Sequence, residues 1–74
     1  MRRNYEPFDG KRYLENTNTD EVHDLDNESP NCHIDEIKHE HICMHETLTS
    51  VRIARIFNDK INGCAHCLKS LDKG

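Results

Sequence analysis

Cys64-Ala65-His66-Cys67 is the stretch that decides how the rest of the chain is read. Two cysteines two residues apart form a knuckle that wraps one metal ion. The short loop holds each thiolate about 2.3 Å from a zinc ion, with a tetrahedral angle between them. Half of a four-ligand site is therefore written into four residues, and the other half must lie upstream. The candidates are His23, Cys32, His33, His39, His41, Cys43 and His45. His66 lies between the two cysteines and is expected to point away from the ion.

The composition explains why such a site is needed. The chain has 74 residues, 34% of them apolar, with two Tyr, two Phe and no Trp. That is one domain at most. A core of this size barely offsets the entropy of ordering the chain, so a staple is expected. The start, Met1-Arg2-Arg3-Asn4-Tyr5-Glu6-Pro7, reads neither as a signal peptide nor as a membrane span. A reducing, cytoplasmic setting is expected, where disulfides are uncommon. The four cysteines then read as candidates for metal ligation in preference to disulfides.

Net charge is formally −4, and the basic residues are scattered. Binding to DNA by charge alone is disfavoured, because nucleic-acid binders carry a basic face. Zinc bound by three thiolates would not reverse the balance. A macromolecular partner, protein or nucleic acid, is expected on a monomeric chain without a membrane role.

Residues 1–11 read as a flexible leader, with the alternative that Tyr5 and Phe8 tack it onto the core, and 12–71 as the zinc-binding domain. Tyr13 and Leu14 begin a short strand, Asn16-Thr17-Asn18-Thr19 a turn, and Val22 and His23 belong to a second strand. A hairpin over 12–15 and 20–24 follows. Residues 24–31 are rich in Asp, Asn, Ser and Pro and read as a loop that Cys32 ends. Residues 32–38 make a helical turn or short helix. His39 to His45 alternates, with Ile42 and Met44 on one strand face and His39, His41, Cys43 and His45 on the other. The main helix covers Thr47 to Asp59. Leu48, Val51, Ala54 and Phe57 form its core stripe, Ile53 and Ile56 lie beside it, and Arg52 and Arg55 face solvent. Ile61 returns to the core, and a last short helix carries Leu68 and Leu71. The fold class is α+β: a zinc-stabilised domain with a short antiparallel sheet of two or three strands, one main helix and one or two short helices.

On this reading His23 ends a strand and Cys32 ends the following loop, so both sit at one rim of the hairpin. His23, Cys32, Cys64 and Cys67 are the expected ligands of one zinc ion. Cys43 is the rival, although a cysteine between Ile42 and Met44 is more often a small core residue. His39, His41, Cys43 and His45 could hold a second, weaker metal, against the alternative of a solvated polar face.

Tyr13-Leu14-Glu15-Asn16, Glu21-Val22-His23, Cys32, the helix around Ala54 and the closing Cys64-Ala65-His66-Cys67 together resemble the zinc-binding N-terminal domain of Ada-type methylphosphotriester DNA repair proteins and related small stand-alone proteins. The resemblance spans roughly residues 12–68. It implies a small sheet with flanking helices around a four-ligand zinc site. In that family all four ligands are cysteines, and one thiolate of the first pair accepts a methyl group from DNA. Here His23 stands at the first position, and zinc-bound imidazole is a poor methyl acceptor. The family's Gly-aromatic pair before the knuckle is Lys60-Ile61 here. The resemblance implies the metal fold without the chemistry. The expected function is a non-enzymatic zinc module that binds a partner. The alternatives are a zinc-thiolate methyl acceptor and a nucleic-acid-binding accessory protein.

Overall fold

In the computed structural model, which describes residues 2–71, the chain turns back between β1 (Tyr13–Asn16) and β2 (Glu21–Asp24). The Asn16 carbonyl accepts the amides of Thr19 and Asp20 at 3.3 and 2.8 Å. Its side chain accepts the amide of Asn18 at 3.0 Å. Asp20 takes φ 61°, a left-handed conformation that Asp and Asn tolerate better than most residues. The expected hairpin is present, shifted by one residue in its first strand.

β3 (Ile42–His45) pairs antiparallel with the free side of β1. A fourth strand, β4 (Asn62–Gly63), runs parallel to β2, and the sheet order is β3-β1-β2-β4. The α+β class is as expected, but the sheet is mixed and has four strands. β4 is too short to show an alternating pattern. Its position is fixed instead by the Asn62 amide on the Asp20 carbonyl (2.9 Å) and the Cys64 amide on the Val22 carbonyl (2.8 Å).

Register sorts the side chains, because residues directly opposite share a face. Leu14 stands opposite His23 and Met44, while Glu15 stands opposite Val22 and Cys43. Leu14 and Val22 are both fully buried, so both faces are covered.

The main helix, α1, spans Leu48–Phe57. Thr47 caps it, its hydroxyl accepting the Ser50 amide at 3.1 Å. Asn58 ends it and donates from its side chain to the Asp20 carboxylate at 3.0 Å, tying the helix end to the hairpin turn. Val51 is buried, and Leu48 and Ala54 pack against the core. Phe57, expected on this stripe, is 86% exposed. It lies six residues beyond Val51, about 120° around the helix from it, and so leaves the core face. Ile53 and Ile56 are exposed beside it. Arg55, expected in solvent, is half-buried and donates to the Leu71 carbonyl at 3.0 Å.

Residues 25–41 contain four three-residue 3-10 turns, one of which, Ile34–Glu36, stands where a short helix was expected. They drop Leu25 and Ile34 into the core. Ile61, Leu68 and Leu71 are buried as expected. The leader is seated on the domain. Phe8 is buried under the Arg3 guanidinium, 5.2 Å from its ring centre. Arg2 pairs with Asp26 at 2.8 Å, and Arg3 forks onto Glu28 at 2.8 and 3.1 Å. Among the described residues no helix is long and apolar enough to cross a membrane.

The Arg3 fork makes this seat sensitive to acid. Its hydrogen bonds hold the Glu28 carboxyl below the ordinary value of 4.5. A depressed folded-state value means that the contribution is complete above 4.5 and is lost as pH falls through the lowered value. Glu28→Gln is expected to destabilise the domain by about 1 kcal/mol at neutral pH. Its deficit should vanish in acid, where the parent loses the same charge. Urea midpoints of parent and variant across a pH series check this, and a deficit independent of pH would refute it.

Candidate metal centre

Three elements deliver the four expected ligands. β2 carries His23. The turn Pro30–Cys32 carries Cys32, with Ser29 capping it by accepting the Asn31 amide and Pro30 preset for the first position. Cys64 follows β4 directly, and its amide on the Val22 carbonyl sets it beside His23. The Leu68 amide on the Cys64 carbonyl (2.9 Å) then folds Cys67 back toward the same point.

One donor atom from each of His23, Cys32, Cys64 and Cys67 lies within 4.8 Å of all the others. The four residues are 2%, 8%, 2% and 6% exposed, so the cluster is closed. Cys32 Sγ is 3.7 Å from Cys64 Sγ, and Cys67 Sγ is 3.7 Å from His23 Nδ1. Tetrahedral coordination requires about 3.8 Å between two sulfurs and about 3.6 Å between sulfur and nitrogen, from bond lengths near 2.3 and 2.05 Å. The observed separations match those values. All four cysteines are free thiols.

The surroundings favour ligation by particular atoms. His23 turns Nδ1 to the sulfurs and Nε2 to the Glu21 carboxylate, 3.3 Å away. A carboxylate on the outer nitrogen is the usual support of a metal-bound imidazole, because it fixes the ring and raises its basicity. Cys67 Sγ accepts the Asp24 amide at 3.2 Å, and Cys64 Sγ accepts the His66 amide at 3.4 Å. Both bonds stabilise sulfur as thiolate. Burial acts the other way on the thiols, raising Cys32 and Cys67, whereas on His23 it lowers the value and so favours the neutral imidazole that ligates a metal. A bound dication reverses the penalty on the thiols, since cysteine ligates as thiolate. The cluster therefore suggests a metal site.

Asp24 supports the site without belonging to it. Its buried carboxylate accepts two hydrogen bonds from Arg12 (2.9 and 2.8 Å), one from the Asn27 side chain (2.8 Å) and one from the Asp26 amide (3.0 Å). The backbone amide of the same residue holds Cys67. The sequence places Asp24 at the junction of the second strand and the loop, and the structure has it end β2 and cap the turn that follows. Its signal was the pattern Asp24-x-Asp26, in which an Asp caps the turn that follows it.

The remaining candidates lie elsewhere. His33 is exposed and paired with Glu36 at 2.6 Å, and His66 is exposed. His39–His41 form a 3-10 turn, so the alternating face expected over 39–45 exists only at 42–45. The His39 ring meets Phe8 edge-on. Cys43, expected as a small core residue, is exposed because register turns it away from the Leu14 face. It faces Glu15 and His45, and the three form a second group of donors within 4.8 Å of one another.

A scan against protein-family models finds no match to the chain, and searches of curated proteins and of solved structures find none either. The functional reading therefore rests on the donor geometry.

Proposed function

We propose that this chain is a small non-enzymatic zinc module, in which His23, Cys32, Cys64 and Cys67 hold one structural ion and the outer surface binds a partner. The observation that carries the reading is the buried donor set: four protein donors within 4.8 Å of one another, with the Cys32–Cys64 and Cys67–His23 pairs at tetrahedral separations. Four protein ligands leave no position for water, as in structural rather than catalytic zinc sites. Three sulfurs and one imidazole suit zinc. The resemblance of the sequence to the Ada-type zinc domain supports a four-ligand site, with His23 standing where that family has a cysteine.

The partner surface is the outer stripe of α1. Ile53, Ile56 and Phe57 are 50%, 78% and 86% exposed at i, i+3 and i+4. A contiguous apolar stripe of this kind marks a contact surface, whereas single exposed apolar residues are ordinary. The acidic balance of the chain favours a protein partner over nucleic acid.

One observation favours the methyl-acceptor reading. An open cleft has both His23 and Cys32 in its lining. Glu21 and Glu36 line the same cleft, however, and would repel the phosphates that flank a methylated one.

Metal analysis of the purified protein is expected to give one tightly held zinc per chain, reduced in His23→Ala and Cys32→Ser and retained in Cys43→Ser. Loss in Cys43→Ser with full retention in His23→Ala would overturn the ligand set. Incubation with methylated DNA should leave the intact mass unchanged. A stoichiometric gain of one methyl on Cys32 would replace the structural reading with the acceptor one.

A further inference from the structure

We propose a second metal site, formed by Glu15, Cys43 and His45, open on one side and able to take a borderline dication such as Zn2+. The three residues converge because two strands pair. Glu15 on β1 stands directly opposite Cys43 on β3, and His45 follows Cys43 by two, on the same face. Glu15 Oε1 lies 2.9 Å from His45 Nε2, and Cys43 Sγ lies 3.9 Å from that same nitrogen. Both donors thus address one ring atom. The other, Nδ1, is taken by the Ser50 hydroxyl of α1 at 2.7 Å.

That arrangement separates a metal site from a hydrogen-bonded triad. In a nucleophilic triad, the thiol and the carboxylate would engage opposite nitrogens of the ring. Here they share Nε2. Without a metal, Nε2–H donates to Glu15 while Nδ1 accepts the Ser50 hydroxyl. A bound cation takes the place of that Nε2 proton and selects the other tautomer. In it Nδ1–H donates to Ser50, and Nε2, the Glu15 carboxylate and Cys43 Sγ direct lone pairs to one point. Oxygen, nitrogen and sulfur donors from one residue each suit zinc. Cys43 would bind as thiolate and release its proton to solvent. The Ser50 bond is the outer support that holds a ligating imidazole in its tautomer.

The site differs in kind from the cluster around His23. Glu15 and His45 side chains are 12% and 11% exposed, so two ligands are held firmly, while Cys43 is open to solvent. Three protein donors leave a fourth position for water or an exogenous ligand, the arrangement of an exchangeable rather than a structural ion.

The experiment adds Co2+ to protein already carrying its zinc, followed by native mass spectrometry and by absorption. Mass distinguishes added cobalt from exchange of the resident zinc. The expected result is one additional cobalt with sulfur-to-cobalt charge-transfer absorption. Cys43→Ser should abolish that absorption, and His45→Gln should weaken binding at least tenfold. Ser50→Ala, which touches no metal, should weaken it about tenfold through the freed imidazole. All three variants should keep the first zinc, which shows that they fold. No added cobalt at large excess, or equal binding by Cys43→Ser, overturns the proposal. If the parent instead takes a single metal that Cys43→Ser abolishes and Cys64→Ser retains, the site around His23 fails and this one stands.

Discussion

Cys67→Ser is expected to release the metal and leave the chain unfolded at room temperature. Cys67 Sγ is both a donor of the cluster and the acceptor for the Asp24 amide, so its loss strikes the ion and the end of β2 together. A serine oxygen is a harder and shorter ligand than a thiolate and suits zinc less well in a sulfur-rich set. The energetic scale decides how far the damage spreads. Structural zinc contributes on the order of 10 kcal/mol to the folding of small domains. A domain of this size has a net stability of about 5–15 kcal/mol. Removing the ion therefore removes most or all of the margin. What remains is a small apolar core under turns that have little regular structure of their own. It also leaves Cys32, Cys64 and His23 buried with no cation to justify their burial. Far-UV circular dichroism and metal analysis check the outcome, and a strong chelator acting on the parent should reproduce it. Cys43→Ser is the control and should keep both fold and zinc. A folded, zinc-loaded Cys67→Ser would sink the coupling of site to fold.

The local elements were legible because each had a short-range cause. The Asn/Thr run produced a turn, Thr47 capped the helix, and Val51 and Leu48 marked its inner face. The convergence of four buried donors was legible for a related reason: chain order places His23 and Cys32 at one rim of the hairpin, and the Cys64–Cys67 spacing supplies the other pair. Long-range pairing was not legible. β4 is two residues whose partner lies about forty positions earlier, and no periodicity exists in two residues. Glu15 could not be joined to Cys43 and His45 without the register of β1 against β3. The histidine-rich alternation suggested a face within one strand, whereas the structure assembles its group across two. Phe57 misled because residue type says apolar, while helix phase carries it past the edge of the packed stripe. Phe8 shows the opposite case: an apolar residue in an unpatterned leader, buried because Arg3 and Glu28 anchor the segment around it.

Gly63→Ala is the second substitution expected to have a large effect, although it alters no ligand. A methyl at Gly63 would collide with the Leu68 carbonyl and approach the Leu71 Cβ to 2.7 Å and its carbonyl carbon to 2.9 Å. The nearest obstacle is backbone, so no rotamer change relieves it. Either the turn carrying Leu68 and Leu71 lifts from β4, or β4 moves away from β2. The second movement pulls Cys64 from the Val22 carbonyl and so from His23. Overpacking a tight core costs about 1–3 kcal/mol, and a clash against backbone falls at the upper end. Because metal binding and folding are coupled, a loss near 3 kcal/mol weakens apparent zinc affinity roughly a hundredfold. Gly10 supplies the contrast. It takes φ 73°, and a methyl there would meet only the Asn4 side-chain oxygen at 3.2 Å. Gly10→Ala strains the leader turn and should leave zinc affinity within a fewfold of the parent. Competition against a chelating indicator, run on both variants, separates the two cases. Equal affinities in Gly63→Ala and the parent would mean that the C-terminal turn can leave the sheet without disturbing Cys64, and the close approach at Gly63 would then have no part in holding the site.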